Sequence, residues 1–472
     1  MSALGFPLST LLDTADDRPV HFIGIAGAGM SALAELLARR GVRVTGTDAN
    51  PAGSPYLAAL GVRVSAPNVE DVRRSRAVVY SSAIAATHAE MAMARSLALP
   101  LIRRAEALAA AVHGGTLVGI SGTHGKTTTT VMTTEALAAA GINPTGIAGG
   151  RVGRWGGNLR LGTNTFVVEA DEYDRSFLAL APDVAVVLNV EEDHLDIYRD
   201  IDDIRQAFEQ FVRGARVLVR CADDAGAMSL RPRAGQDVIV YSATTDDEPS
   251  STASHARLCA RGLVLNALGA EFDVVFDGVV KGHVSLSVPG LHNVRNALAS
   301  IAAGLALGCN VADMGIGLRA FTGVERRFQR LGAVNGIDVV DDYAHHPTEV
   351  AATIAAARHA YPNRRLVVVF QPHLYSRTRD LQAEFANALA AADQLFLCDV
   401  YGAREEPIPD VTSALIGDRV PGSVLCWNGA RASVAAALVA RVRAGDVVIT
   451  MGAGDVTKAG PELVQALSER QP

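Results

Sequence analysis

The stretch that most restricts the fold is Gly119-Ile120-Ser121-Gly122-Thr123-His124-Gly125-Lys126-Thr127-Thr128-Thr129-Thr130. It follows an apolar run, Thr116 to Ile120, that reads as a strand, and it precedes a helical pattern over Val131 to Ala140. A glycine turn between a buried strand and a helix is the setting of a phosphate loop. The glycines let backbone N–H groups turn inward around an anion, and the helix aims its positive end at the same point. Lys126 would reach the outer phosphates, and Thr127 would offer its hydroxyl to Mg²⁺. The strict pattern is not met, because Ile120 holds the first glycine position; Gly119 and Gly122 supply the flexibility. A glycine turn that merely starts a helix is the rival reading, and the Gly125-Lys126-Thr127 core disfavours it.

Short β-branched runs alternate with longer Ala-rich helical stretches throughout, the pattern of βαβ units. It occurs in three blocks. Val20–Gly24, Val42–Gly46 and Val78–Ser82 are strands of the first. Thr116–Ile120, Thr165–Glu169 and Val184–Leu188 belong to the second, and Ile337–Val340, Leu366–Phe370, Gln394–Leu397 and Asp446–Thr450 to the third. The 472 residues suit about three domains at roughly 150 residues each. We place them at 1–112, 113–328 and 329–472, each a mostly parallel sheet flanked by helices. The segment near 222–285 is less regular, with a Ser/Thr-rich piece around Ser242–Ser254, and reads as an antiparallel addition containing the strand Phe272–Phe276. A helix is expected from about Val294 to Leu307.

Composition removes several classes. The chain is 49% hydrophobic and 20% charged, with a formal charge of −7, so neither disorder nor a nucleic-acid partner is expected. Five scattered cysteines without a CxxC pair argue against a disulfide framework or structural zinc and for a reducing cytosol. No apolar run reaches membrane-spanning length, and Met1–Asp17 carries no secretory pattern, so a cytoplasmic location is expected.

Polar residues gather where the strands end, the edge at which ligands bind in such sheets. Glu169 closes one strand and suits Mg²⁺ beside Thr127, with Asp171 and Glu172 as rivals or plain loop acids. His194 follows another strand end and is either a metal ligand or structural. The first glycine turn, Gly24-Ile25-Ala26-Gly27-Ala28-Gly29-Met30-Ser31, can hold a diphosphate, with Asp48 at the next strand end. In the third block, Asp341 to Glu349, Gln371 to Asp380, and Asp399 with Tyr401 crowd one edge. There Arg377 and Arg379 could clamp an anion. Two anion-binding turns suggest a nucleoside triphosphate and a substrate carried on a nucleoside diphosphate.

Taken together, the phosphate loop, Glu169-Ala170-Asp171-Glu172, His292-Asn293-x-x-Asn296, Arg326-Arg327-Phe328 and Asp341-Asp342-Tyr343-Ala344-His345-His346-Pro347-Thr348-Glu349 resemble the Mur ligases, from about Val20 to the end. The resemblance implies a Rossmann-like UDP-substrate domain, a P-loop ATPase domain and a Rossmann-like carboxy-terminal domain. It implies that ATP and Mg²⁺ activate the lactyl carboxylate of UDP-N-acetylmuramate as an acyl phosphate, which the amine of L-alanine attacks. The related ligase that joins a whole tripeptide to the same acid is the neighbouring alternative; the Gly-Ala-Gly-Met-Ser turn and Arg377–Asp380 favour L-alanine. By the same resemblance Gly122, Thr123, His124, Gly125, Lys126, Thr127, Thr128, His292, Asn293, Asn296, Arg327 and Asp342 serve ATP. Thr127, Glu169 and His194 serve the metal ions, and Gly27, Ala28, Gly29, Met30, Ser31, Asp48 and Ser81 serve the UDP substrate. Tyr343, His345, Arg377 and Arg379 serve the amino acid, and Lys126, Glu169, His194, Arg327 and His345 the chemistry. Two positions depart from the family pattern: Ala26 replaces a glycine in the first turn, and Leu374 a basic residue after Pro372-His373.

Two other classes fit the sequence less well. A P-loop switch needs no acyl-acceptor pocket, and a dinucleotide oxidoreductase needs a nicotinamide site; the third polar cluster counts against the first, and no hydride-acceptor site supports the second.

Overall fold

The computed structural model describes residues 11–194, 197–243, 256–266, 268–403 and 405–469. Most of the Ser/Thr-rich piece near Ser242–Ser254 lies outside them. Three sheets carry the chain. The first joins β1 (Val20–Ile23), β2 (Val44–Thr47), β3 (Arg63–Ser65), β4 (Ala77–Tyr80) and β5 (Leu101–Arg103) in the order β3-β2-β1-β4-β5. All four pairings are parallel. Reversal of strand order on either side of β1 opens a crevice at its carboxyl end, and the first glycine turn sits there.

The second sheet contains β6 (Thr116–Ser121), β7 (Thr145–Val152), β8 (Gly157–Arg160), β9 (Thr165–Glu169) and β10 (Val184–Val187). It continues with β11 (Val217–Cys221), β12 (Asp237–Ser242), β13 (Leu258–Asn266), β14 (Gly269–Phe276) and β15 (Val279–Leu286). Their order is β15-β14-β13-β12-β11-β10-β6-β9-β7-β8. The fully buried Val184–Val187 lies beside β6 in parallel register, and β9 flanks β6 on the other side. A strand covered on both faces reads as an unbroken apolar run, as these do. β7 and β8 pair antiparallel. The expected antiparallel addition begins differently: β12 is parallel to both β11 and β13. The third sheet orders β16 (Gln329–Val334), β17 (Ile337–Asp342), β18 (Arg365–Phe370), β19 (Gln394–Cys398), β20 (Leu425–Gly429) and β21 (Asp446–Met451) as β16-β17-β21-β18-β19-β20. Only β16 runs antiparallel there.

The chain forms two compact units: residues 1–262, 272–284 and 295–320, and residues 263–271, 285–294 and 321–472. The first sheet and most of the second share the first unit because one apolar cluster serves both. Leu33, Leu36, Leu37 and Val112 belong to the same core as Leu117, Ile147, Leu159 and Phe166. Arg40 reinforces this, donating to the carbonyl of Ala111 and lying over the Phe166 ring. All five cysteines are free thiols. Among the described residues, no helix is long and apolar enough to cross a membrane.

Candidate functional site

The phosphate loop leaves β6 and enters the helix Lys126–Ala139. Gly122 and Gly125 have φ of +141° and +81°, in the region that favours glycine. A Cβ on Gly125 would stand 2.9 Å from the Asn296 side-chain oxygen, so the loop and that residue touch directly. Asn189 clamps the turn. Its backbone carbonyl accepts from Thr123 N–H (3.2 Å), its Oδ1 accepts from His124 N–H (2.7 Å), and its Nδ2 donates to the His124 carbonyl (3.2 Å). The Thr123 hydroxyl accepts from Glu191 N–H, and the His124 ring lies 3.3 Å from the Glu191 carboxylate.

Thr127 donates its hydroxyl to Glu169 Oε1 at 3.1 Å, and the other Glu169 oxygen accepts Gly149 N–H at 2.6 Å. Burial pushes the Glu169 carboxyl above its ordinary value, against the pull of Lys126. A hydroxyl and a half-buried carboxylate converging at a phosphate loop fit a small, hard divalent cation. The Lys126 ammonium donates to the Gly122 carbonyl (2.7 Å), the Thr123 carbonyl (3.1 Å) and Glu172 Oε1 (3.0 Å). Burial opposes its charge, yet Glu172, Asp171 and Glu169 hold its pKa above the ordinary lysine value. Glu172, one of the acids offered as a loop residue, is only 3% exposed. Its carboxylate faces His194 Nε2 at 3.6 Å. His194 adopts φ of +55° and packs edge-on against Tyr173. Such a backbone conformation in a non-glycine residue is held by its surroundings and is common at functional sites. Lys126, Thr127, Glu169, Glu172, His194 and Asn296 therefore meet at one strand edge.

The first glycine turn is built differently. Gly24 (φ +78°) and Ile25 both donate N–H to the Thr47 carbonyl, and Ala26 N–H goes to Asp48 Oδ2 at 2.9 Å. Asp48 Oδ1 takes Asn50 N–H, so this acid holds the turn's own backbone. Gly27 and Ala28 are exposed at the start of the helix Ala28–Arg39, while Met30 and Ser31 are buried, the Ser31 hydroxyl donating to the Ala28 carbonyl. Gly29 leaves room for Arg104, whose Nη1 would lie 2.5 Å from a Cβ there. Ser81 follows β4 and is half-buried.

In the second unit, Asp342 at the end of β17 accepts N–H from Phe328 (2.7 Å) and Ala344 (2.8 Å). Burial pushes its carboxyl up to about 6, against the pull of Arg327. Arg326 and Arg327 both lie over the Tyr343 ring, at 4.7 and 5.2 Å. Glu349 accepts N–H from His345 and His346 and faces Arg327 at 3.5 Å. His345 packs against Tyr343 and His373, and His373 stacks on Tyr401. The two arginines expected to act together differ: Arg377 is buried, whereas Arg379 is exposed and paired with its neighbour Asp380 at 2.7 Å. Glu405 fixes the helix carrying both by accepting from the Ser376 N–H and hydroxyl. His292 packs back on Gly290, and Asn293 donates to the Pro289 carbonyl; both lie in this unit, and Asn296 in the other.

Family models match three successive stretches of the chain: the Mur ligase family catalytic domain over residues 19–115, the Mur ligase middle domain over 120–304, and the Mur ligase glutamate ligase domain over 326–454. The chain belongs to the Mur ligase family. Among relatives, a UDP-N-acetylmuramate–L-alanine ligase of Streptomyces avermitilis is 43% identical over 97% of this chain and 99% of its own length. One of Kineococcus radiotolerans is 45% identical over 96% of each. Of solved structures, a UDP-N-acetylmuramate–alanine ligase from Thermotoga maritima superposes with a TM-score of 0.81 at 27% identity, covering 96% of this chain and all of that one. A murein peptide ligase from Psychrobacter arcticus gives 0.70 at 25% identity, with the same coverage.

Three residues of this Mur ligase site escape a motif reading. Gly149 must lack a side chain, because a Cβ would lie 2.5 Å from Glu169 Oε1; the Gly149-Gly150 pair is its only sequence signal. Asn189 was visible only as a polar residue after a strand. Glu172 reads in the sequence as a rival metal ligand or a loop acid, and only its burial beside Lys126 gives it a distinct place.

Proposed function

We propose that this chain uses ATP and Mg²⁺ in the cytoplasm to join L-alanine to the lactyl carboxylate of UDP-N-acetylmuramate, supplying peptidoglycan precursor synthesis. The observation that carries the chemistry is the Thr127–Glu169 oxygen pair beside Lys126 on a phosphate loop. The choice of acid and amine rests on full-length likeness to relatives so named.

In this reading a lactyl oxygen attacks the terminal phosphorus of ATP, and ADP leaves. The neutral amine of L-alanine adds to the acyl carbon, nitrogen loses its proton, and the tetrahedral centre collapses to an amide and free phosphate. Mg²⁺ bound by Thr127 and Glu169 would neutralise phosphate charge, with His194 serving a second ion. Lys126 holds the outer phosphates through its ammonium. Gly122 to Thr128 present N–H and hydroxyl donors to the same anion, and Asn296 borders it at Gly125. The turn at Gly27–Ser31, anchored by Asp48, receives the UDP diphosphate, with Ser81 at the neighbouring strand end. From the second unit, the family pattern assigns Arg327 to the transferred phosphoryl group, and His292, Asn293 and Asp342 to the nucleotide. It assigns Tyr343, His345, Arg377 and Arg379 to the amino acid. Cations placed where charge gathers in the transition state lower its barrier.

The test follows phosphate release and amide formation with ATP, Mg²⁺ and UDP-N-acetylmuramate, offering L-alanine, glycine, L-serine or the tripeptide. Turnover with L-alanine is expected. Turnover with the tripeptide alone rejects the choice of amine, and phosphate release without any acceptor rejects the ligase reading.

A further inference from the structure

An ammonium has three protons, and in this loop all three are engaged: by the Gly122 carbonyl, the Thr123 carbonyl and the Glu172 carboxylate. A phosphate can reach Lys126 only by displacing one of these acceptors. Glu172 is the one with a charge. Its two oxygens lie 3.0 and 2.9 Å from Lys126 Nζ.

Glu172 does not resemble a scaffold acid of the same unit. Asp223, for comparison, accepts from the Ser242 hydroxyl, Ala243 N–H and Arg295 Nε, and so ties two strand ends to a helix. The groups that the Glu172 carboxylate faces, the Lys126 ammonium and the His194 imidazole, both belong to the candidate site. Scaffold contact falls to its backbone instead, whose carbonyl accepts the buried Tyr198 hydroxyl at 2.6 Å. The residue is thus fixed by its main chain while its side chain is committed to the site.

We propose that Glu172 is a positioning residue of the nucleotide site, holding Lys126 inward and yielding the ammonium to arriving outer phosphates. This rests on the phosphate-loop reading. The exchange conserves charge pairing: one anion replaces another at the ammonium, and the released carboxylate still faces His194. It also makes Glu172 a competitor, since the fraction of loops with Lys126 free sets the apparent affinity for nucleotide. Once the phosphates are in place, the carboxylate keeps His194 oriented.

The test uses the full-length chain and ADP without metal, so that ion binding does not enter. Glu172→Gln should bind ADP about five- to twentyfold more tightly than wild type, because removing the competing charge raises the competent fraction. Glu172→Asp, with a shorter but charged side chain, should tighten binding about two- to fivefold, and it carries the test should the Gln variant not fold. With ATP, Mg²⁺ and both other substrates, Glu172→Gln should lose about tenfold or more in kcat while its KM for ATP falls, because His194 no longer faces the Glu172 charge. Binding of UDP-N-acetylmuramate should not change. ADP binding in both variants that equals or is weaker than wild type overturns the proposal; a merely structural glutamate would give the weaker result with lowered thermal stability. A wild-type chain that binds ADP but forms no amide defeats the ligase reading and leaves the exchange standing. A wild-type chain that binds no ADP defeats both.

Discussion

Two turns in the first unit have the same outline, a buried strand, a glycine turn and a helix, yet opposite interiors. The turn after β1 is held by an acid, Asp48, which takes the Ala26 N–H. The loop after β6 is held by an amide, Asn189, and contains a half-buried cation facing Glu172, with Glu169 and Asp171 acting on it as well. The first is a quiet cradle of backbone donors. The second stores charge that must be rearranged when an anion arrives. The two turns share a backbone geometry that suits an anion, whereas ionisable side chains are packed around only one of them.

Lys126→Ala gives the sharpest break in this contrast. It should cut phosphate release by about 10³-fold or more while UDP-N-acetylmuramate binding, read by calorimetry, stays at wild type. Loss of both would mean that the two turns are not independent sites.

Asp342 extends the contrast to a third strand end. Like Asp48 it holds two backbone N–H groups, but it is buried, with its carboxyl pushed from 3.8 to about 6. A raised pKa means that the folded state favours the protonated form. The stability this confers is complete below the ordinary value and is lost as pH rises through about 6. Two units correspond to about 3 kcal/mol, so Asp342→Asn should gain on wild type by up to that amount between about pH 4 and pH 7. Chemical unfolding at several pH values checks this; a flat difference would show that the buried carboxyl is not the titrating group.

Asp48→Asn should be milder. Loss of the charged acceptor for Ala26 N–H should raise the KM for the UDP substrate about tenfold and leave kcat at saturation unchanged. A fall in kcat would place Asp48 in the chemistry.

The smallest effects separate the glycines. Gly125→Ala, at φ +81° and against Asn296, should cost about 1–2 kcal/mol of stability and weaken nucleotide binding. Gly29→Ala meets only the mobile end of Arg104 and should stay within about 0.5 kcal/mol, measured by thermal unfolding.

Much of the fold was legible because strands buried on both faces announce themselves as apolar runs. Thr165–Glu169 lies where the sequence put it, and Val184 and Asp446 begin strands where expected. The hairpin of β7 and β8 was missed, since Thr145 to Val152 contains three glycines and reads as loop. Residues on either side of the expected boundary after residue 112 share one apolar core, and the ordinary Leu, Val and Phe that close it carry no mark of this in the sequence.

At the candidate site, residue identity and spacing singled out Lys126, Thr127, Glu169 and His194, which the fold brings to one strand edge. Helical spacing does not say which of Arg377 and Arg379 faces inward; the fold buries the first and exposes the second beside Asp380.

Sequence alone determined the three-block alternation of strands and helices, the position of the phosphate loop and the kinship with Mur ligases, since each is written in neighbouring residues. Tertiary structure decided that Glu172 is buried against Lys126, that Gly149 makes room for Glu169, and that Asn189 grips the loop. Those relations join residues tens of positions apart, and burial, which fixes their energies, exists only once the sheet has brought the strand ends together.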